Sequence, residues 1–210
     1  MTTDQLSTFS SNIVTVFRKY QKVDRVTVPL FKFLEQILSS GTLETILEDA
    51  DNQFSFQLMT LAKTEVSKCG DPNKLMSSAD VFCQLLQSAD SNTVKKCLVQ
   101  LSIFLCHKFP RVRKSTAEKL YEAILTFSDR EIVSGKKTER IRRTLRFDLK
   151  LRHYLTLLLS TFVDFNLDAV MEILTESQWD DSVDNLRPIR NKFCELVGVP
   201  APAVLKKSAA

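Results

Sequence analysis

Glycine is scarce in this sequence, with four among 210 residues, and alternating β-branched runs bounded by turn residues are nearly absent. Half-buried strands and hairpins need that alternation and those turns, so a sheet protein is disfavoured. The missing glycines also exclude the Gly-rich loops that cradle phosphates. These absences predict an all-α fold.

The chain also lacks the usual patterns of metal and disulfide sites. Its five cysteines make an odd number without a CxxC pair, and His107 and His153 have no Cys, Asp or Glu at metal-ligand spacing. We therefore expect no disulfide framework, no metal and no cofactor. Unpaired cysteines favour a reducing compartment, so we expect a cytoplasmic protein.

Long hydrophobic runs and a secretory leader are missing too. The longest apolar-rich stretch, 154–165, is far shorter than a membrane span, and the first residues have neither a basic nor an apolar leader region. The sequence predicts a soluble chain that binds no membrane.

Apolar residues instead recur three and four positions apart along successive segments of 13 to 18 residues joined by short links. Asp71-Pro72 predicts a helix start, and Gly41 and Gly70 predict helix ends. Thr42 is a candidate N-cap, as is either Ser91 or Asn92. Short helices with short links predict stacked helical hairpins.

The stretch PRVRKSTAEKLYEAI, 110–124, begins with proline and then carries an apolar stripe, which comprises Val112, Ala117, Leu120 and Ile124. It resembles the second helix of a HEAT-type repeat. We therefore predict an α-solenoid of HEAT or armadillo type, because each hairpin must bury its apolar face on a neighbour. In such a helix, Arg113 is expected to pair with acids of the adjacent repeat.

Positive charge is concentrated in one segment. Residues 130–152 hold nine Lys or Arg against three acids, an excess larger than the net charge of +4 of the whole chain. A solvated helix or a disordered loop explains this run. The alternative is a surface that binds nucleic acid or an anionic membrane.

Three stretches resemble the C-terminal part of tubulin folding cofactor D, also called tubulin-specific chaperone D. They are RVTVPLFKFLEQILSSGTLETI, LSIFLCHKFPRVRKSTAEKLYEAILTFSD and LDAVMEILTESQWDDSVDNLRPIRNKFCELVGVP. The resemblance covers roughly 26–129 and 166–200. The ending is its most specific element, with Trp179-Asp180, an Arg-x-x-Arg-Asn run and a closing Gly198-Val199-Pro200.

The resemblance implies a division of the chain. We expect HEAT-like repeats over 1–129, a basic insert over 130–165, a C-terminal helical cap over 166–200 and a disordered tail over 201–210. Members of the family are far longer, so this chain resembles only their C-terminal end. The insert is either an intron translated in frame or a lineage-specific amphipathic helix.

The family's function is implied in the same way. Proteins of this kind capture β-tubulin and work with tubulin folding cofactors C and E and an Arf-like small GTPase to assemble the α/β-tubulin heterodimer. Their complex promotes GTP hydrolysis by tubulin, in tubulin's own nucleotide site, so we expect no catalytic residue here. DNA and RNA are not expected partners, and the location implied is the cytoplasm, including the microtubule cytoskeleton.

Candidate partner-binding residues are Arg111, Lys114, Trp179, Arg187 and Arg190. Arg111 and Lys114 either pair with acids of a neighbouring repeat or face an acidic partner such as tubulin. Trp179 is either a buried anchor that closes the solenoid or an exposed binding residue. Two other interpretations stay open, a helical scaffold whose basic insert binds nucleic acid or membrane, and a non-functional gene fragment.

Overall fold

The computed structural model of this chain describes residues 3–129 and 167–203. The basic insert predicted over 130–165 lies outside the described residues, as does most of the tail predicted over 201–210. Helices dominate what is described, with no strand among these residues, which confirms the all-α prediction.

The helices are as follows: α1 Thr3–Lys19, α2 Asp24–Ser39, α3 Glu44–Leu47, α4 Phe54–Val66, α5 Pro72–Gln84, α6 Ser91–Leu105, α7 Pro110–Asp129, α8 Leu167–Glu176 and α9 Val183–Leu196. A single 3₁₀ turn, Leu85–Gln87, extends α5.

These helices form two layers. In the first layer α1, α4, α6 and α9 lie side by side, and in the second α2, α5, α7 and α8 do the same. Successive hairpins α1/α2, α4/α5 and α6/α7 each place one helix in either layer, and α3 packs on α4. This stacking of hairpins is the α-solenoid-like arrangement predicted from the sequence.

The last pair enters the layers in the opposite order. α8 packs beside α7 in the second layer, and α9 then crosses to α6 in the first. The three earlier hairpins begin in the first layer instead. α8 and α9 therefore cover the side of α6/α7 that faces away from α4/α5.

The predicted apolar stripes form the core between the layers. Val112, Ala117 and Leu120 of α7 are at most 1% exposed. Phe17 and Phe31 meet edge to face, with ring centroids 5.5 Å apart, and join α1 to α2. No helix among the described residues is both long enough and apolar enough to cross a membrane.

Some helix ends follow the sequence signals. The Asp71 carboxylate accepts a hydrogen bond from the Asn73 N–H at 2.9 Å, and Pro72 is the first residue of α5. Gly41 follows α2 with φ of 75°, a left-handed conformation that favours glycine after a helix.

Other predicted helix ends are wrong. α3 follows Leu43 without a side-chain cap, and the Thr42 hydroxyl instead pairs with Ser40 Oγ. α6 is capped by Asp90, not by Ser91 or Asn92, because a carboxylate accepts from two N–H groups at once. α4 ends at Val66, before Gly70.

A buried charged cluster joins the first two hairpins. The Glu65 side chain, at the end of α4, is fully buried and pairs with Lys74 of α5, which is 3% exposed. Lys74 Nζ also lies 2.6 Å from Asp24 Oδ1 at the start of α2. Thr27 Oγ1 and the Lys22 N–H donate to Glu65 at 2.9 and 2.7 Å. Three helices, α2, α4 and α5, and the link between α1 and α2 thus meet at one satisfied carboxylate.

The cluster keeps both of its buried groups charged. Burial by itself would raise the pKa of Glu65, but hydrogen bonds from Lys74, Lys22 and Thr27 hold it below its ordinary value. Burial would likewise lower the pKa of Lys74, but hydrogen bonds to Asp24 and Glu65 raise it.

We predict that Glu65→Gln destabilises the chain by roughly 3–5 kcal/mol, because it leaves the Lys74 ammonium buried with only an exposed carboxylate nearby. Equilibrium urea unfolding measures this loss. Glu122→Gln is the control, since it removes an acid from the exposed pair with Lys119 and should change stability by less than about 1 kcal/mol. Equal effects of the two variants would contradict the structural role of Glu65.

Candidate functional site

The outer face of α2, α5 and α7 forms an open groove with two lobes. One lobe, of about 730 Å³, is lined by Val28, Lys32, Asp71, Asn73, Met76, Ser77, Asp80, Arg111, Lys114, Ser115 and Glu118. The other, of about 450 Å³, is lined by Glu35, Ser39, Asp80, Cys83, Gln84, Gln87, Lys119, Glu122, Ala123 and Thr126. Asp80 of α5 belongs to both lobes.

The larger lobe lies at the N-terminal ends of α5 and α7, and we call it the basic lobe. It is lined by three cations, Lys32, Arg111 and Lys114. The N-terminal ends of α5 and α7 add partial positive charge to that of these side chains. Its acids, apart from the shared Asp80, are Asp71, which caps α5, and Glu118. Arg111 and Lys114 are exposed.

The smaller lobe lies further along the same helices, and we call it the acidic lobe. It contains three carboxylates, from Glu35, Asp80 and Glu122, against one cation, Lys119. Lys119 Nζ lies 2.8 Å from Glu122 Oε2, so its charge is already paired within α7. With Asp80 counted in the acidic lobe, the basic lobe has three cations against two acids and the acidic lobe has one cation against three acids, so the net charge changes sign along the helix direction.

Asp80 lies where the lobes meet. Its Oδ1 atom is buried and accepts no hydrogen bond from any described residue. Burial raises the pKa of Asp80 to about 6, with Lys119 opposing the shift and Glu35 and Glu122 adding to it. Buried carboxylate oxygens ordinarily have a donor, which makes this one an exception within the fold.

Arg113 fastens the C-terminal helices to the stack. It is 2% exposed, and its guanidinium donates to the backbone oxygens of Trp179 at 2.6 Å, Asp181 at 2.7 Å and His107 at 2.7 Å. The prediction that it pairs with acids of a neighbouring repeat is wrong. Its partners are carbonyls at helix ends, which need donors when they are buried.

Trp179 lies in the turn between α8 and α9 that Arg113 holds. It is 6% exposed, and its indole N–H donates to Leu174 O at 3.0 Å. This burial supports the interpretation of Trp179 as an anchor that closes the stack. A third pocket of about 360 Å³, between α7 and α8, is lined by both Trp179 and Lys114, so it adjoins the basic lobe.

The two arginines predicted in α9 lie in the other layer. Arg187 is partly exposed and pairs with Asp184 at 2.5 Å. Arg190 is 5% exposed and donates to Asn191 Oδ1 at 2.9 Å and to Pro202 O at 3.4 Å. The structure thus places Arg111 and Lys114 together in the basic lobe, Lys114 and the buried Trp179 around the adjoining pocket, and Arg187 and Arg190 on α9 in the other layer.

Sequence reasoning missed the acidic lobe and the buried cluster. Asp80 stands inside an otherwise small and apolar run, SSADVFC, and an acid in such a position is a usable signal. Glu35, Lys119 and Glu122 carry no such signal, since exposed charged residues on helices are common. Glu65 and Lys74 lie nine positions apart on two different helices, so helical periodicity does not indicate their pairing.

The cysteines show no sign of nucleophilic activation. Burial raises the pKa values of the Cys83 and Cys97 thiols, so both stay protonated. In the part of the chain that the structure describes, no group of three or more His, Cys, Asp or Glu side chains is placed to hold a metal ion.

Comparison with known proteins gives one family. Residues 1–74 match the family model described as "Tubulin folding cofactor D C terminal", which confirms the predicted resemblance where the two overlap, over 26–74. The matched part runs from α1 to the first turn of α5, so it includes the buried cluster and the α2 wall of the groove. No solved structure matches the chain. The match supports a function related to that of tubulin folding cofactor D.

We predict that Arg113→Leu loosens the turn around Trp179, because the backbone oxygens of Trp179, Asp181 and His107 lose their donor. Trp179 is the chain's single tryptophan, so its fluorescence reports on this turn alone. We expect a red-shifted emission, stronger quenching by acrylamide and a stability loss of roughly 2 kcal/mol or more.

The matched control is Arg111→Leu, since Arg111 is exposed two positions earlier in the same helix. It should leave the emission unchanged. An unshifted emission in Arg113→Leu, or the same shift in both variants, would show that Arg113 does not hold the turn.

Asp80→Asn gives a pH-dependent prediction. Asp80 titrates at about 6 in the folded chain against an ordinary 3.8, so the folded chain binds the proton more tightly. The contribution of Asp80 to the free energy of unfolding therefore falls as pH rises from about 4 to about 6, and the full loss persists above that range. Asp80→Asn removes the ionisation, so we expect it to stabilise the chain at about pH 8 and clearly less at about pH 4.5.

Urea unfolding at both pH values measures this difference. Asp184→Asn is the control, because Asp184 is exposed on α9 and its substitution should give no such pH-dependent gain. A gain from Asp80→Asn that is the same at both pH values would contradict a raised pKa.

Proposed function

We propose that this chain, whose residues 1–74 match the tubulin folding cofactor D C-terminal family, is a tubulin-specific chaperone module that binds β-tubulin during assembly of the α/β-tubulin heterodimer. The family match is the observation that carries the proposal. Fold alone would support only a helical binding scaffold.

The groove gives the proposal a physical mechanism. Three helices present a continuous charged face, and Arg111 and Lys114 stand exposed at its basic end. A solenoid face of this kind holds a protein partner by shape and charge complementarity over an extended area. We propose that this face contacts β-tubulin and that Arg111 and Lys114 meet acids on it.

The proposed catalytic step, GTP hydrolysis, takes place in tubulin and not in this chain. Tubulin folding cofactors C and E and an Arf-like small GTPase are the proposed companions, and the assembled complex stimulates GTP hydrolysis at tubulin's own nucleotide site. The chain itself is proposed to supply binding and no catalytic group. The cytoplasm, including the microtubule cytoskeleton, is the proposed location.

We predict that the immobilised chain retains β-tubulin from purified tubulin. The charge-reversed variant Arg111→Glu/Lys114→Glu should retain at least about tenfold less, because both cations would then repel an acidic surface. The matched control is Lys63→Glu/Lys192→Glu, which reverses two exposed lysines in the other layer and should leave retention unchanged.

Failure of the unaltered chain to retain tubulin would overturn the proposed function. If tubulin is retained and both double variants behave alike, the function stands and the groove is not the contact surface. Circular dichroism of each variant separates a lost contact from a lost fold.

A further inference from the structure

The groove along α2, α5 and α7 has opposite charges at its two ends. The basic lobe holds three cations, Lys32, Arg111 and Lys114, against two acids, Asp71 and Glu118, and the acidic lobe holds Glu35 and Glu122 with its single cation Lys119 already paired. Asp80 stands between them. Because the two lobes carry opposite net charges, the groove favours a bound segment whose own charges follow the complementary order.

The acidic lobe is incompletely neutralised from within the described chain. Asp80 Oδ1 is buried without a hydrogen-bond donor, and Glu35 and Glu122 are the other acids that act on this carboxyl. Lys119, the cation that acts on it, is held by Glu122 at 2.8 Å. A further cation placed here would gain three acids as neighbours and would give Asp80 its missing donor.

We propose that the groove docks a protein segment whose charges are separated, with acidic residues in the basic lobe and a Lys or Arg side chain in the acidic lobe beside Asp80. The two lobes and their charges carry this inference. It deepens the proposed function, because it names the chemistry of the segment that the same face binds.

The distance between lobes sets the spacing of the charges in that segment. From Lys114 to Glu122 the α7 axis advances about 12 Å, at a rise of about 1.5 Å per residue. An extended chain covers that distance in about four residues, at about 3.3 Å each. The segment therefore needs a short neutral spacer between its acidic and basic residues.

Two capped peptides of identical composition test the proposal without tubulin. In the first, three Glu are followed by a Ser-Gly-Ser spacer and three Lys. In the second, Glu and Lys alternate around the same spacer. Both have no net charge, so the overall charge of the chain does not distinguish them.

We expect the charge-separated peptide to bind the full chain about tenfold more tightly than the alternating one at low ionic strength, measured by fluorescence anisotropy. Asp80→Asn, where the lobes meet, and Lys114→Glu, in the basic lobe, should each remove most of that preference. Asp184→Asn on α9 is the matched control and should keep it.

The preference should also weaken as pH falls through about 6, because burial raises the pKa of Asp80 to about 6 and a protonated carboxyl pairs poorly with a cation. Lys119 on α7 opposes that shift, and Glu35 on α2 and Glu122 on α7 add to it. The buried Cys83 thiol, on the same helix as Asp80, is protonated over this range.

Equal or undetectable binding of the two peptides would overturn the inference, as would a preference that survives both groove variants. Asp80→Asn removes an unfavourable ionisation and should fold at least as well as the parent, so its result is interpretable. Tubulin retention with no peptide preference would reject this inference while leaving the proposed function intact.

Discussion

Stacked hairpins bury helix ends as well as helix faces, and this constraint governs the structure. Apolar stripes account for the core, but backbone and charged groups at the buried ends need partners that water cannot supply. The ion pair of Glu65 and Lys74 supplies such partners where the first two hairpins meet. The guanidinium of Arg113 supplies hydrogen-bond donors for the turn at Trp179. The first contact joins two charges, and the second joins one charge to several carbonyls.

The need of buried polar groups for partners also explains why Asp80 distinguishes the groove from the rest of the fold. Like Glu65, Asp80 carries its carboxylate among packed helices. Unlike Glu65, it has no described hydrogen-bond donor at its Oδ1 atom. The pKa values move in opposite directions for this reason, below the ordinary value for Glu65 and up to about 6 for Asp80. A buried carboxylate oxygen without a donor costs stability, and under the proposed binding mode a cation of the partner would compensate for that cost.

Much of the fold could be predicted from the sequence, because helical periodicity and helix-end residues are local signals. The Pro110 start and the stripe of Val112, Ala117 and Leu120 are as predicted. The cap of α6 was misplaced by one residue, since Asp90, Ser91 and Asn92 are all competent caps in succession. The reversed layer order of α8 and α9 is set by long-range packing, which periodicity does not record.

The candidate site was predictable only in part. Arg111 and Lys114 are candidates from the sequence because they are cations of the HEAT-like helix that either pair with acids of a neighbouring repeat or face an acidic partner, and they share one lobe. The acidic lobe draws its residues from three helices that are far apart in sequence, and Arg187 and Arg190 were assigned by motif and not by face.

We propose that the α2, α5 and α7 face holds the tubulin subunit. Hydrogen–deuterium exchange of the chain with and without β-tubulin tests this contact most directly, because exchange maps the covered surface without any substitution. We expect added protection to concentrate in α2, α5 and α7. Protection confined to α1, α4, α6 and α9, or none at all, would contradict it.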